Sequence, residues 1–159
     1  SLVTAGFKKI IFVNSHGGND PLMTQTANDL AVAYPIWTAS ASYWNIARDK
    51  LNALNASETG MVPGHAGGFE TAAILAIKPE LVRKDRIVQA HAEREWLTAG
   101  PPRTFIGKHG ELTGCDGFTD APHRATAEKG QLYLDAIADS VAEWLIQVVR
   151  AMDKWKDPC

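Results

Sequence analysis

Lys8-Lys9-Ile10-Ile11-Phe12-Val13 restricts the fold more than any other stretch of the chain. Two charges give way to four consecutive apolar side chains with no alternation. A strand wet on one face alternates apolar and polar residues, whereas an unbroken apolar run suits a strand covered on both faces, as in a parallel sheet flanked by helices. The run stops at Asn14-Ser15-His16-Gly17-Gly18-Asn19, a polar loop carrying two glycines. Asp20-Pro21 then reads as an N-cap with proline at the first helical position. Leu22, Met23, Thr26, Ala27, Leu30 and Ala31 recur at helical spacing until Tyr34-Pro35 stops the helix. Ile36 to Tyr43 is a second strand, ending on Trp44.

Farther along, Asn45 to Thr59 is polar and fits a short helix with a loop. Gly64 to Gly68 is a glycine-rich turn, and Phe69 to Ile77 is an apolar helix closed by Lys78-Pro79. Pro79 to Gly130 is expected to hold one or two short strands among long loops. Thr126-Ala127-Glu128-Lys129 precedes a long amphipathic helix. Its stripe of Leu134, Ile137, Val141, Trp144, Leu145 and Val148 is expected to face the core. Alternating strands and helices predict an α/β layered fold, one domain over residues 1–159. In such sheets functional groups gather where strands end and helices begin.

The net charge of −2 and the absence of a basic stripe argue against nucleic acid as a partner. No apolar run is long enough to span a bilayer, and no signal peptide opens the chain. The two cysteines, Cys115 and Cys159, have no Cys-x-x-Cys spacing, so a disulfide framework is not expected and a cytoplasmic location is. Neither a Gly-x-Ser-x-Gly elbow nor a Gly-x-x-x-x-Gly-Lys-Ser/Thr phosphate loop occurs.

His16 is the first candidate for chemistry. Following a buried strand and preceding two glycines, it suits a divalent metal, because neutral imidazole is a common ligand. Gly17 and Gly18 permit close backbone approach and positive φ. The alternative is a loop histidine that hydrogen-bonds its own turn. Glu70 lies in the first turn of the helix after Gly64-His65-Ala66-Gly67-Gly68. A carboxylate there is either a capping group or a hard anionic metal ligand. His65, in the loop before it, could transfer protons. Trp44 either walls a small-molecule pocket or packs in the core. Asp20 and Asp49 are metal-ligand candidates by residue type alone, and Asp20 is better explained as a cap. His91, His109 and His123 lack ligand spacing and read as surface or loop residues.

Together these residues resemble the creatininase (creatinine amidohydrolase) family. Asn14-Ser15-His16-Gly17-Gly18-Asn19 is similar to that family's Asn-Gly-His-Gly-Gly-Asn segment. His65-Ala66-Gly67-Gly68-Phe69-Glu70-Thr71-Ala72 is similar to its His-Ala-Gly-x-x-Glu-Thr-Ser segment. Ala125-Thr126-Ala127-Glu128-Lys129-Gly130 resembles the opening of the family's last helix, and Ser42-Tyr43-Trp44 falls where the family often has such a sequence. The resemblance implies a three-layer α/β/α fold with a mostly parallel sheet. It also implies a centre of two divalent ions, zinc or manganese, and hydrolysis of a C–N bond in a small cyclic amide or formamide through a metal-bound hydroxide. His16 and Glu70 would be metal ligands, His65 the proton-transferring catalytic residue, and Gly17, Gly18, Asn19, Trp44 and Gly67 substrate contacts. Assembly into a homo-oligomer is implied as well.

Two departures bear on these expectations. Creatininase proper has tyrosine and glutamate after its motif histidine, where this chain has Gly17 and Gly18. That moves the expected substrate toward formamides without excluding creatinine. The family's other ligands come from an N-terminal Glu-x-His-Gly-Pro-His segment and a following aspartate, and neither occurs in these 159 residues. Ser1 to Phe7 also reads as the tail of a helix followed at once by a strand. The chain is therefore expected to be incomplete at its N-terminus and to bind metal weakly or not at all. The alternative is a catalytically inactive remnant serving as an assembly or binding module.

Overall fold

In a computed structural model of the chain, the described residues are 1–87, 101, 104, 106 and 117–155. They fall into two compact units, Ser1–Leu51 with Asp135–Cys159, and Asn52–Leu134.

The first unit holds the sheet. Strands β1 (Lys9–Asn14) and β2 (Trp37–Ser42) run parallel, with Lys9 opposite Trp37 and Asn14 opposite Ser42. Helix α1 (Asp20–Ala33) connects them and packs on β2, where the Thr38 hydroxyl donates to the Ala27 carbonyl at 2.8 Å. This is the parallel α/β arrangement the sequence predicts. Cover on β1 is only partial among the described residues: Ile10 is buried, but Val13 is 45% exposed.

Two boundaries differ from expectation. The chain already coils into a 3-10 turn at Gly17–Asn19, so Asn19 takes the N-cap position of α1 and Asp20 lies inside the helix. Strand β2 ends at Ser42 because residues from Tyr43 coil into α2 (Tyr43–Ile46), followed by α3 (Arg48–Ala53).

The second unit is built around α4 (Gly68–Ile77), whose ends match the sequence reading to within one residue. Phe69 is 1% exposed and stacks on the buried Tyr133 ring, with centroids 5.1 Å apart and planes at 15°. Tyr133 belongs to α5 (Ala127–Lys154), the long helix the sequence predicts. Thr126 starts it, its hydroxyl accepting from the Lys129 N–H at 3.2 Å. Hydrogen bonds from the backbone and from Thr126 hold the Glu128 carboxyl below the usual carboxylate value.

On α5 the fully buried positions are Gly130, Tyr133, Ala136, Ser140 and Met152, while Leu134, Ile137, Val141, Trp144, Leu145 and Val148 are half-buried. Gly130 explains part of this offset. A Cβ there would stand 1.9 Å from the Ala72 carbonyl oxygen, so the backbones of α4 and α5 come into direct contact at Gly130. Within Pro79–Gly130, 3-10 turns occupy Pro79–Leu81, Lys84–Arg86 and Pro122–Arg124. No strand occurs among the described residues of that stretch; His91, His109, Cys115 and Cys159 lie outside the described residues, and His123 is exposed, as expected.

Candidate functional site

The loop after β1 is held by a short polar relay. Asn14 and Ser42 are both buried and face each other across the sheet register. The Asn14 side-chain amide donates to the Ser42 hydroxyl and to the His16 carbonyl, both at 2.9 Å, and its oxygen accepts from the His16 N–H at 3.1 Å. The Ser42 hydroxyl in turn donates to the Asp20 carboxylate. Buried polar groups persist only when paired in this way. The relay fixes the backbone of His16, a residue that is itself exposed.

Asp20, read from the sequence as a cap, is instead the acceptor at the end of this relay. Neither Gly17 nor Gly18 adopts positive φ. Their value is space. Nothing lies within 4 Å of a Cβ built on Gly17, and a Cβ on Gly18 would meet the His16 Nε2 at 3.1 Å. Trp44 sits on α2, half-buried, edge-to-face with Tyr43 at 5.2 Å. Asp49 is exposed on α3.

The second loop carries His65 and Glu70, in the second unit. Ala66 has φ +46°, a left-handed conformation that costs a non-glycine residue about 1–2 kcal/mol. Its N–H donates to the Glu70 carboxylate at 2.7 Å. Glu70, in the first turn of α4, thus ties the loop residue Ala66 to the helix through one carboxylate oxygen, and the N-cap residue, Gly67, has no side chain to cap the helix itself. His65 is half-buried and is gripped through its backbone: its N–H donates to the Thr119 hydroxyl at 2.8 Å, and its carbonyl accepts from the Thr119 N–H at 2.9 Å.

Asp120 completes this loop. Its carboxylate accepts from the N–H groups of Met61 at 3.1 Å, Gly68 at 2.9 Å and Ala121 at 2.6 Å, and from the Thr119 hydroxyl at 3.0 Å. Gly67 is buried against the same carboxylate, where a Cβ would lie 2.2 Å from Oδ1. Thr119 and Asp120 escape a reading of the sequence. Gly117-Phe118-Thr119-Asp120-Ala121-Pro122 looks like an ordinary turn, and no local signal ties it to a loop more than fifty residues earlier.

His16 and the His65–Glu70 pair lie in different units. Among the described residues no three His, Cys, Asp or Glu side chains gather as a metal site. No helix among them is long and apolar enough to cross a membrane.

Comparison with known proteins adds a family and a fold. The creatininase model, creatinine amidohydrolase, matches residues 1–145. A creatinine amidohydrolase of Pseudomonas putida is 25% identical over 152 residues, covering 89% of this chain and 56% of that protein. Two solved structures superpose on 92% of the chain at 24% identity. One is from Bacteroides fragilis, assigned as a creatinine amidohydrolase, with a TM-score of 0.69 over 56% of its length. The other is a tryptophan-to-phenylalanine variant of creatininase, with a TM-score of 0.66 over 58% of its length. The chain spans a little over half the length of the relatives it matches.

Proposed function

Since this chain belongs to the creatininase family, we propose that it takes part in metal-dependent hydrolysis of a C–N bond in a small cyclic amide or formamide. The observation that carries this reading is the family match over residues 1–145 together with the two histidine motifs. One sits on the loop after β1, the other on the braced loop that opens α4.

The donor set fits a divalent ion in kind. His16 offers an exposed imidazole, and Glu70 offers a hard carboxylate beside a helix start. It does not fit in number, since these are two ligands where a tight site needs more. The proposed ion is zinc or manganese. When bound, such an ion supplies Lewis-acid polarisation and an acidified water.

The remaining steps belong to the chain. His65 protonates the leaving nitrogen, and its backbone contacts to Thr119 hold the ring's starting point in place. Gly17 and Gly18 leave room for a small ligand against the backbone near His16. Asn19, Gly67 and Trp44 are the other proposed substrate contacts.

The test is turnover. With zinc or manganese supplied in excess, turnover of creatinine or of a member of a formamide panel is expected to be slow and chelator-sensitive, because two ligands hold an ion only weakly. Chelator-insensitive turnover, or none on any of them, would count against the reading.

A second reading, an assembly module that forms a homo-oligomer, is supported by exposed apolar side chains in the first unit: Leu22 is 66% and Val32 81% exposed. Sedimentation would decide it, a monomer at high concentration being the adverse result. A cytoplasmic location is part of the proposal and rests on the cysteine pattern.

A further inference from the structure

We infer that Asp120, acting with Thr119, is a positioning residue for His65 and for the Glu70 end of α4. This rests on the proposed role of those two residues. One carboxylate collects four donors from three directions: Met61 before the loop, Gly68 at the first turn of α4, and Thr119 and Ala121 beside it. Hydrogen bonds to an ionised acceptor are roughly twice as strong as neutral ones, and a carboxylate at a helix N-terminus also meets the positive end of the helix dipole.

The glycines of the loop are fitted to this group. A Cβ on Gly60, Gly64 or Gly67 would come within 2.1, 2.8 or 2.2 Å of the Asp120 carboxylate oxygens. Gly60 and Gly64 are held at φ +132° and +65°. Thr119 passes the anchorage on to both backbone polar groups of His65. The left-handed Ala66 then turns the chain so that its N–H reaches Glu70. The strain at Ala66 persists because Asp120 and Thr119 brace the segments on both sides of it. Asp120 itself need touch no substrate; it fixes the direction of groups that do.

The test compares wild type with Asp120→Asn, Asp120→Ala and Thr119→Val. The readouts are the ring resonances and titration midpoint of His65 by NMR, the amide exchange of Gly68, and thermal unfolding. Asp120→Asn keeps one acceptor oxygen in the same volume. It is expected to stay folded, to move the His65 resonances and midpoint, and to speed Gly68 exchange, leaving the amide of Ile77 at the far end of α4 unchanged. Asp120→Ala should move His65 further. If the Asp120 variants fail to fold, Thr119→Val, which removes the hydroxyl at 2.8 Å from the His65 N–H, carries the decision. Turnover should fall about ten- to a hundredfold with little change in KM, as for other partners of a catalytic shell. A folded variant whose His65 midpoint and resonances match wild type would overturn the inference. Absence of turnover in wild type would count against the amidase reading alone, and the His65 signals would still decide the positioning role.

Discussion

Gly130→Ala is expected to destabilise the chain by about 2–3 kcal/mol, although the same change in an ordinary helix interior is stabilising by nearly 1 kcal/mol. The sign reverses because the new methyl would sit 1.9 Å from the Ala72 carbonyl oxygen. That atom belongs to the backbone of α4 and cannot swing away as a side-chain end could. The helices would have to part, separating Phe69 from Tyr133 and exposing the buried Ala72. Gly68→Ala should cost at least as much, since its Cβ would lie 1.8 Å from the Thr59 carbonyl oxygen and 2.7 Å from that of Ala121. Gly17→Ala is the control: with open space around it and no positive φ, it should change stability by less than about 0.5 kcal/mol. Urea unfolding of the three variants measures all of this. Wild-type stability in Gly130→Ala would mean that α4 and α5 do not pack as described.

His65→Ala should have the opposite profile, with activity lost and the fold kept. General acid catalysis contributes on the order of a hundred- to ten-thousandfold, so kcat on any substrate the chain hydrolyses should drop by about that factor. The loop should keep its course, because the contacts to Thr119 use the backbone N–H and carbonyl of residue 65, which alanine retains. An unfolded variant would point to a structural role for the ring, and a folded variant of full activity would remove His65 from the mechanism. Parallel unfolding curves and steady-state kinetics separate these results.

Much of this was legible in the sequence where the signal is local. The unbroken apolar run of β1, the proline after α1 and the glycines before α4 each act through near neighbours, and these elements lie where those residues put them. The parallel sheet followed from the same run, and family and fold followed from the two histidine motifs. What stayed hidden was non-local. Asp20 looks like a cap, yet its carboxylate is engaged by Ser42, twenty-two residues away. Asp120 looks like a turn residue, yet it organises a loop that begins at residue 60. The large stripe on α5 looks like the buried face, but its residues are half-buried, while Gly130 and Tyr133 beside it are buried, Gly130 against the Ala72 carbonyl. In each case the deciding partner is distant in sequence, and residue type alone does not name it.

The central claim is that His16 and Glu70 each supply a metal ligand. Zinc titration of wild type, His16→Ala and Glu70→Gln, followed by calorimetry and by the histidine ring resonances, tests it most directly. The expected result is weak, saturable binding in wild type that shifts the His16 ring and falls at least about tenfold in each variant. Tight binding with a stoichiometry of two, or wild-type affinity in both variants, would contradict it.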